Sequence, residues 1–239
     1  MGMIRLDKFL ADMSLGTRSE VKKEIKKGSV QVNGTTVKNP ECKIDTGKDL
    51  VSVKGRQVSY ARLEYYMLNK PAGVVSATED KRDKTVVDLI TEKKRKDLFP
   101  VGRLDKDTEG FVLLTDDGQF AHDILSPRKH IPKTYVATVD IPLDQRAVEA
   151  FAQRIDIGQG QICKSAQLRL VEKEGRQECI VVLQEGMYHQ IKRMFGTLGG
   201  RVLTLKRIRM GNLDLDEKLA PGQCRELTEA ELQQLKCLL

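Results

Sequence analysis

Asp105 stands in the stretch LFPVGRLDKDTEGFVLLTDDG, Leu98 to Gly118. There a turn carrying Asp105, Asp107 and Glu109 beside Arg103 and Lys106 separates two apolar, strand-like runs. Two readings fit such a turn. Charges solvate an ordinary connection; equally, one ionised carboxylate on a rigid mount can serve a reacting centre, because flanking strands fix its direction. Downstream, PKTYVATV sets Tyr135 in a basic strand, where an ordinary half-buried tyrosine is the plain alternative. EGMYHQIKRMF begins an apolar stripe of Ile191, Met194, Phe195 and Leu198 at helical spacing. Gln190, Lys192 and Arg193 fall off that stripe; for Lys192 and Arg193 a solvated helix face is the plain alternative.

Other chemistry-bearing patterns are missing from the sequence. GRLDKDTEG lacks the G-K-[ST] of a phosphate loop, no G-x-G-x-x-G opens a helix, and no G-x-S-x-G elbow occurs. Cys42, Cys163, Cys179, Cys224 and Cys237 are odd in number and scattered, which argues against a disulfide framework and a structural zinc site. Three histidines without paired spacing argue against a catalytic metal. The 239 residues are 40% hydrophobic and 31% charged, the balance of a folded globular protein. No apolar run approaches a membrane span and MGMIRLDKFLADM lacks a signal-peptide core, so a cytoplasmic protein without membrane partners is expected.

The net charge of +7 is unevenly placed. Residues 1–60 hold twelve Lys/Arg against seven Asp/Glu, five of those seven net charges. Such a concentration suits a polyanionic partner. RLDKFLADM places Leu6, Phe9, Leu10 and Met13 on one helical stripe. GTRSEVKKEIKKG reads as a second helix, with Thr17 and Glu20 as a capping box and Gly28 as its stop. It carries Arg18, Lys22, Lys23, Lys26 and Lys27 outward and Val21 and Ile25 inward. Strands SVQV and TTV meet at Asn33-Gly34, a strong hairpin signal, and DLVSV adds another strand.

We place the domain join near residue 61, giving domains 1–60 and 61–239. In the larger piece, YYMLNKPAGVVSA reads as strand, Lys-Pro break and strand, and KRDKTVVDLI and TEKKRKD as a short helix and a charged loop. KTYVATVD, SAQLRLVEKEGRQECIVVLQEG (with a hairpin at Glu174-Gly175) and RVLTLKRIRMGN read as strands; DQRAVEAFAQRI and YHQIKRMFGTLGG are helical in period. The fold class is therefore α+β: a small N-terminal domain and a larger one with a mixed, mainly antiparallel sheet and flanking helices.

Arg5–Leu10, Thr17–Glu20 and Gly28–Gly34, as RLDKFL, TRSE and G-x-V-x-V-N-G, resemble the S4 domain, a small module that binds structured RNA. GRLDKDTEG-x-x-LLT-x-DG, K-T-Y and EG-x-x-HQ-I-KRM, in this order behind that module, resemble the pseudouridine synthases of the RsuA type. The likeness runs over almost the whole chain, including YYMLNKPAGV, LSPRKH and PGQCREL; Phe111 and Val112 replace more usual leucines.

The resemblance implies an enzyme that detaches uracil from C1′ of its ribose, turns it, and rejoins it through C5. The C1′ centre becomes oxocarbenium-like, and one carboxylate suffices to stabilise or capture it. By resemblance that carboxylate is Asp105, paired with Lys192 in a dry pocket so that it stays ionised. Tyr135 matches the tyrosine that packs on the base, and Arg103 contacts RNA around the everted nucleotide. Arg5, Lys8, Arg18, Lys22, Lys23, Lys26, Lys27 and Arg193 are the further candidate RNA contacts. No cofactor or metal is implied. The expected partner of this monomer is small-subunit (16S) ribosomal RNA. Large-subunit (23S) RNA, and a non-catalytic role in ribosome assembly, stand as the alternatives.

Overall fold

The computed structural model describes residues 3–13, 15–58, 63–91, 97–126, 128–173 and 175–239. Two compact units emerge, one built on the residues up to Glu64, the other on Tyr65–Thr91 and Leu98–Leu239. The expected join near residue 61, most of TEKKRKD and Glu174 lie outside the described residues.

The first unit opens with β1 (Met3–Arg5), α1 (Leu6–Asp12) and α2 (Arg18–Lys26). Thr17 and Glu20 close the capping box on each other's backbone. Leu6, Phe9, Leu10, Val21 and Ile25 are buried together with Val30, Ile44 and Val51 in one core. Strands β2 (Val30–Val32) and β3 (Thr35–Thr36) turn at Asn33 and Gly34, both with positive φ. β4 (Lys43–Asp45) pairs with β1, a ladder too short to show in hydrophobic pattern. β5 (Val51–Val53) and β6 (Arg56–Val58) complete a four-stranded sheet of order β3-β2-β5-β6.

In the second unit the strands are β7 (Tyr65–Lys70), β8 (Phe99–Pro100), β9 (Glu109–Thr115), β10 (Lys133–Val139), β11 (Gln167–Lys173), β12 (Arg176–Leu183), β13 (Val202–Met210), β14 (Leu213–Asp214) and β15 (Cys224–Glu226). They form one sheet whose main path runs β11-β12-β10-β13-β9-β7-β15; β8 adds to β9 and β14 to β13. Only the β13–β9 pairing is parallel, so the sheet is mixed and mainly antiparallel.

Helices cover both faces, and the strand pattern follows. Val112 and Leu114 of β9 face one core with Phe151 of α4 (Gln145–Ala152) and Ile191, Met194 and Phe195 of α5 (Gln190–Thr197). Phe111 and Leu113 face another core, with Phe120 and Ile124 of α3 (Gly118–Leu125) and Leu232 and Leu235 of α6 (Glu229–Lys236). A strand buried on both sides reads as a continuous apolar run rather than an alternating one.

Gly110 marks where β9 meets β13. Its φ is +99°, and a Cβ there would lie 2.2 Å from the Arg207 carbonyl oxygen. No larger residue fits that approach.

Two local expectations change. After Pro71 the chain does not resume as a strand: Val75 makes a single bridge to Thr85, because the ring ends the β7 ladder and turns the chain away. KTVVDLI forms only a 3-10 turn at Val87–Leu89, with Val86 and Val87 buried. Among the described residues no helix is long and apolar enough to cross a membrane.

Candidate active site

Asp105 sits on the connection between β8 and β9, whose ends are matched at Phe99↔Thr115 and Pro100↔Leu114. Leu104, just before it, is buried, and its N–H donates to Ser76 Oγ (3.0 Å) while its carbonyl accepts from that hydroxyl (2.9 Å). The Gly73 N–H donates to the Lys106 carbonyl (2.7 Å) and the Thr108 N–H to the Asp105 carbonyl (3.1 Å).

Beneath the turn lies Lys70, fully buried at the end of β7. Its Nζ donates to the carbonyls of Thr108 (2.7 Å), Lys106 (3.1 Å) and Pro71 (3.1 Å). An ammonium has three donors, and here all three are used on backbone. Burial pushes this amine down to about 8, against the pull of Asp107, Glu109 and Asp105 nearby. Sequence reading assigned Lys70 no role; the only available signal was a lysine closing an apolar strand immediately before a proline.

Above the turn, α5 delivers Lys192. Its Nζ lies 3.0 Å from Asp105 Oδ2 and 2.6 Å from Asp107 Oδ1. Burial opposes the ammonium charge, yet hydrogen bonds to Asp107 and Asp105 outweigh it and hold its pKa above the ordinary lysine value. Asp107 is held below the usual carboxylate range, chiefly by the hydrogen bond from Lys192. His189 Nε2 approaches Asp105 Oδ1 to 3.6 Å.

Asp105, Lys192, Arg103 and Tyr135 line one cleft, which the structure therefore assembles from β8–β9, β10 and α5. Tyr135 is 8% exposed, set between Val181 of β12 and Arg207 of β13, beside a register shift at Thr134/Tyr135 that re-aims the strand. Thr108 also lines the cleft, its Oγ1 buried without a hydrogen-bond partner. Arg103 is exposed. The expected dry pocket is instead an open cleft: the Asp105 side chain is 27% exposed and that of Lys192 23%.

Arg193 behaves differently from the expectation of an RNA contact. Its guanidinium donates to the carbonyls of Ile157 (2.9 Å) and Gly158 (2.8 Å), to Gln161 Oε1 (2.6 Å) and to the Tyr188 carbonyl (3.4 Å). Four of its five N–H donors are thus used within the protein. Gln190, off the apolar stripe as expected, is nonetheless 3% exposed, its side chain accepting from the Met187 N–H and donating to Glu185.

In the N-terminal unit the predicted cations divide. Asp7 is fully buried and draws Arg5 (2.8 Å), Arg18 (3.7 Å) and Lys22 (3.7 Å), while Arg5 also reaches Glu41 (3.0 Å). Lys27 pairs with Glu24 at 3.0 Å. Lys8, Lys23 and Lys26 are exposed. Arg5 thus has a structural partner set that its sequence position did not reveal. Among the described residues no group of three or more His, Cys, Asp or Glu is placed to hold a metal ion.

Comparison with known proteins matches the RNA pseudouridylate synthase family over residues 64–197 and the S4 domain over residues 4–50. An uncharacterized RNA pseudouridine synthase of Bacillus subtilis, YtzG, is 45% identical, across 97% of this chain and 98% of its own. The ribosomal small subunit pseudouridine synthase A of Yersinia pestis is 39% identical, across 96% and 97%. A crystal structure of a pseudouridylate synthase superposes with a TM-score of 0.68 at 36% identity, covering 97% of this chain and 99% of that one.

Proposed function

The chain belongs to the RNA pseudouridylate synthase family, and from that premise we propose that it isomerises a uridine of small-subunit ribosomal RNA to pseudouridine at Asp105. The observation that carries the reading is the Asp105–Lys192 pair at 3.0 Å in a cleft that Tyr135 also lines. The relative named as acting on the small subunit supports that choice of RNA.

The chemistry follows from the arrangement. The N1–C1′ bond breaks, uracil turns within the cleft, and C5 bonds to C1′; the proton lost from C5 matches the one gained at N1. Charge develops at C1′, where an ionised Asp105 stabilises it or captures it. Lys192, 3.0 Å away, aims that carboxylate. Tyr135 offers a ring against the base, and Arg103 at the rim a cation for the displaced strand. An everted uridine would cover the open cleft and exclude water, and its eversion costs a few kcal/mol that these contacts offset.

The N-terminal domain, read as residues 1–60, supplies positioning rather than chemistry, through phosphate contacts from exposed cations such as Lys8, Lys23 and Lys26. We read the working form as a cytoplasmic monomer.

The test is pseudouridine mapping in ribosomal RNA with and without the protein. A small-subunit site should appear with the intact chain and vanish with Asp105→Asn, while RNA affinity changes less than about threefold. A site retained by Asp105→Asn ends the assignment of Asp105. A site found only in large-subunit RNA overturns the choice of substrate.

A further inference from the structure

We infer that Tyr188 and His189 form a stacking platform for a nucleobase next to the target uridine, an inference that rests on the RNA-modifying reading above. The rings lie stacked, with centroids 3.8 Å apart and planes 18° from parallel. Tyr188 is 75% exposed, so the ring face away from His189 is offered to solvent. A flat ring face of this kind can take a stacked base whatever its sequence.

The pair is rigidly mounted. His189 is in the left-handed region, φ 50° and ψ 33°, an uncommon conformation for a non-glycine residue. The Tyr188 carbonyl accepts from Arg193 Nη1 at 3.4 Å, and the Arg193 N–H donates to the His189 carbonyl at 2.9 Å. Gln190 ties down Met187 from the other side. The helix that brings Lys192 to the acid therefore also fixes the ring pair.

Position supplies the occupant. His189 Nε2 is 3.6 Å from Asp105 Oδ1, and both rings line a second cleft together with Arg103 and Asp105. Successive bases of one strand lie about 3.4 Å apart, so a ring pair whose histidine approaches the acid and whose two rings line one cleft with it is placed beside the reacting nucleotide. Everting a uridine strips its neighbour of one stacking face. Aromatic side chains replace such a face, and each stack is worth about tenfold or more in affinity.

Ultraviolet crosslinking of the full chain to small-subunit ribosomal RNA, followed by mass spectrometry, tests this. The expected result is a Tyr188 adduct on a nucleotide adjacent to the mapped pseudouridine. Tyr188→Ala should bind about tenfold more weakly, and Tyr188→Phe, which keeps the ring, like the unaltered chain. Absence of any Tyr188 adduct, or Tyr188→Ala binding unchanged, overturns the platform. An adduct distant from the modified uridine overturns its placement. A Tyr188 adduct in RNA that acquires no pseudouridine keeps the stacking surface and sinks the catalytic reading instead.

Discussion

Lys192 Nζ lies 3.0 Å from Asp105 Oδ2 while also lying 2.6 Å from Asp107 Oδ1, so one amine answers two carboxylates. The two acids are not equivalent. Asp105 lines the cleft, whereas the Asp107 side chain is 73% exposed.

Lys192→Met should therefore lower kcat about a hundredfold, the order seen when one charge-stabilising group is removed from a closed site. Asp107→Asn should cost less than about tenfold, since an exposed pair contributes little. Single-turnover rates at saturating RNA check both. Equal losses from the two substitutions would show that Asp107, rather than Asp105, sets the orientation of the amine.

Lys70→Met should disturb the Asp105 turn more than the fold. The substitution keeps an apolar body in place but leaves the Thr108 and Pro71 carbonyls without this donor, while Lys106 retains Gly73. Unpaired carbonyls cost about 1–3 kcal/mol. The expected outcome is a kcat at least about tenfold lower with thermal unfolding still cooperative. A variant that melts earlier yet turns over normally would show that the turn holds its shape without the buried ammonium.

How much of this was legible beforehand depended on where each constraint originates. The meeting of Asp105 and Lys192 was expected from the family resemblance that their short motifs carry; Asp107 shares the amine only because the turn brings it round. Lys70 was unreadable because burial of its amine depends on the Thr108 and Lys106 carbonyls, more than thirty residues away. AGVVSA was read as a strand, but pairing requires a partner in register, and after Pro71 only Val75 finds one. Helix α3 was hidden because its eight residues open on a glycine; Asp117, whose carboxylate accepts the Phe120 N–H, supplies the start signal.

The pH response of Lys70 has a definite sign. Its amine titrates near 8 when folded and near 10.5 when exposed. Between those values the unfolded chain binds more protons, so this group's contribution to stability rises with pH across that window. Below about pH 8 both states are protonated and the contribution is flat. Lysine side-chain NMR should show two Cε resonances titrating near pH 8, those of Lys70 and Lys133, of which Lys70→Met removes one. If the resonance lost in Lys70→Met is one that titrates above about pH 10, burial is not what shapes this site.

Asp7 separates two kinds of basic residue in the N-terminal unit. Its carboxylate is fully buried, and burial alone would raise its pKa, but hydrogen bonds from Arg5 and the nearby charge of Arg18 bring it below the usual range. Stability from this lowered group is present above the unfolded carboxylate value and is lost as pH falls through the folded one. Removing a partner from a buried acid is destabilising, less so where that partner is partly exposed, so Arg5→Gln should lower the melting temperature of this unit. Its effect on RNA binding should track that unfolding and vanish at lower temperature. Replacing Lys8, Lys23 and Lys26 by glutamine should do the opposite. Those side chains are exposed, so melting should stay within about 0.5 kcal/mol of the unaltered chain. Affinity for RNA should fall, and the slope of log affinity against log salt should shrink by about two, since fewer counterions are released. Binding isotherms across a salt series separate the cases: a triple variant with an unchanged slope means that these lysines touch no phosphate.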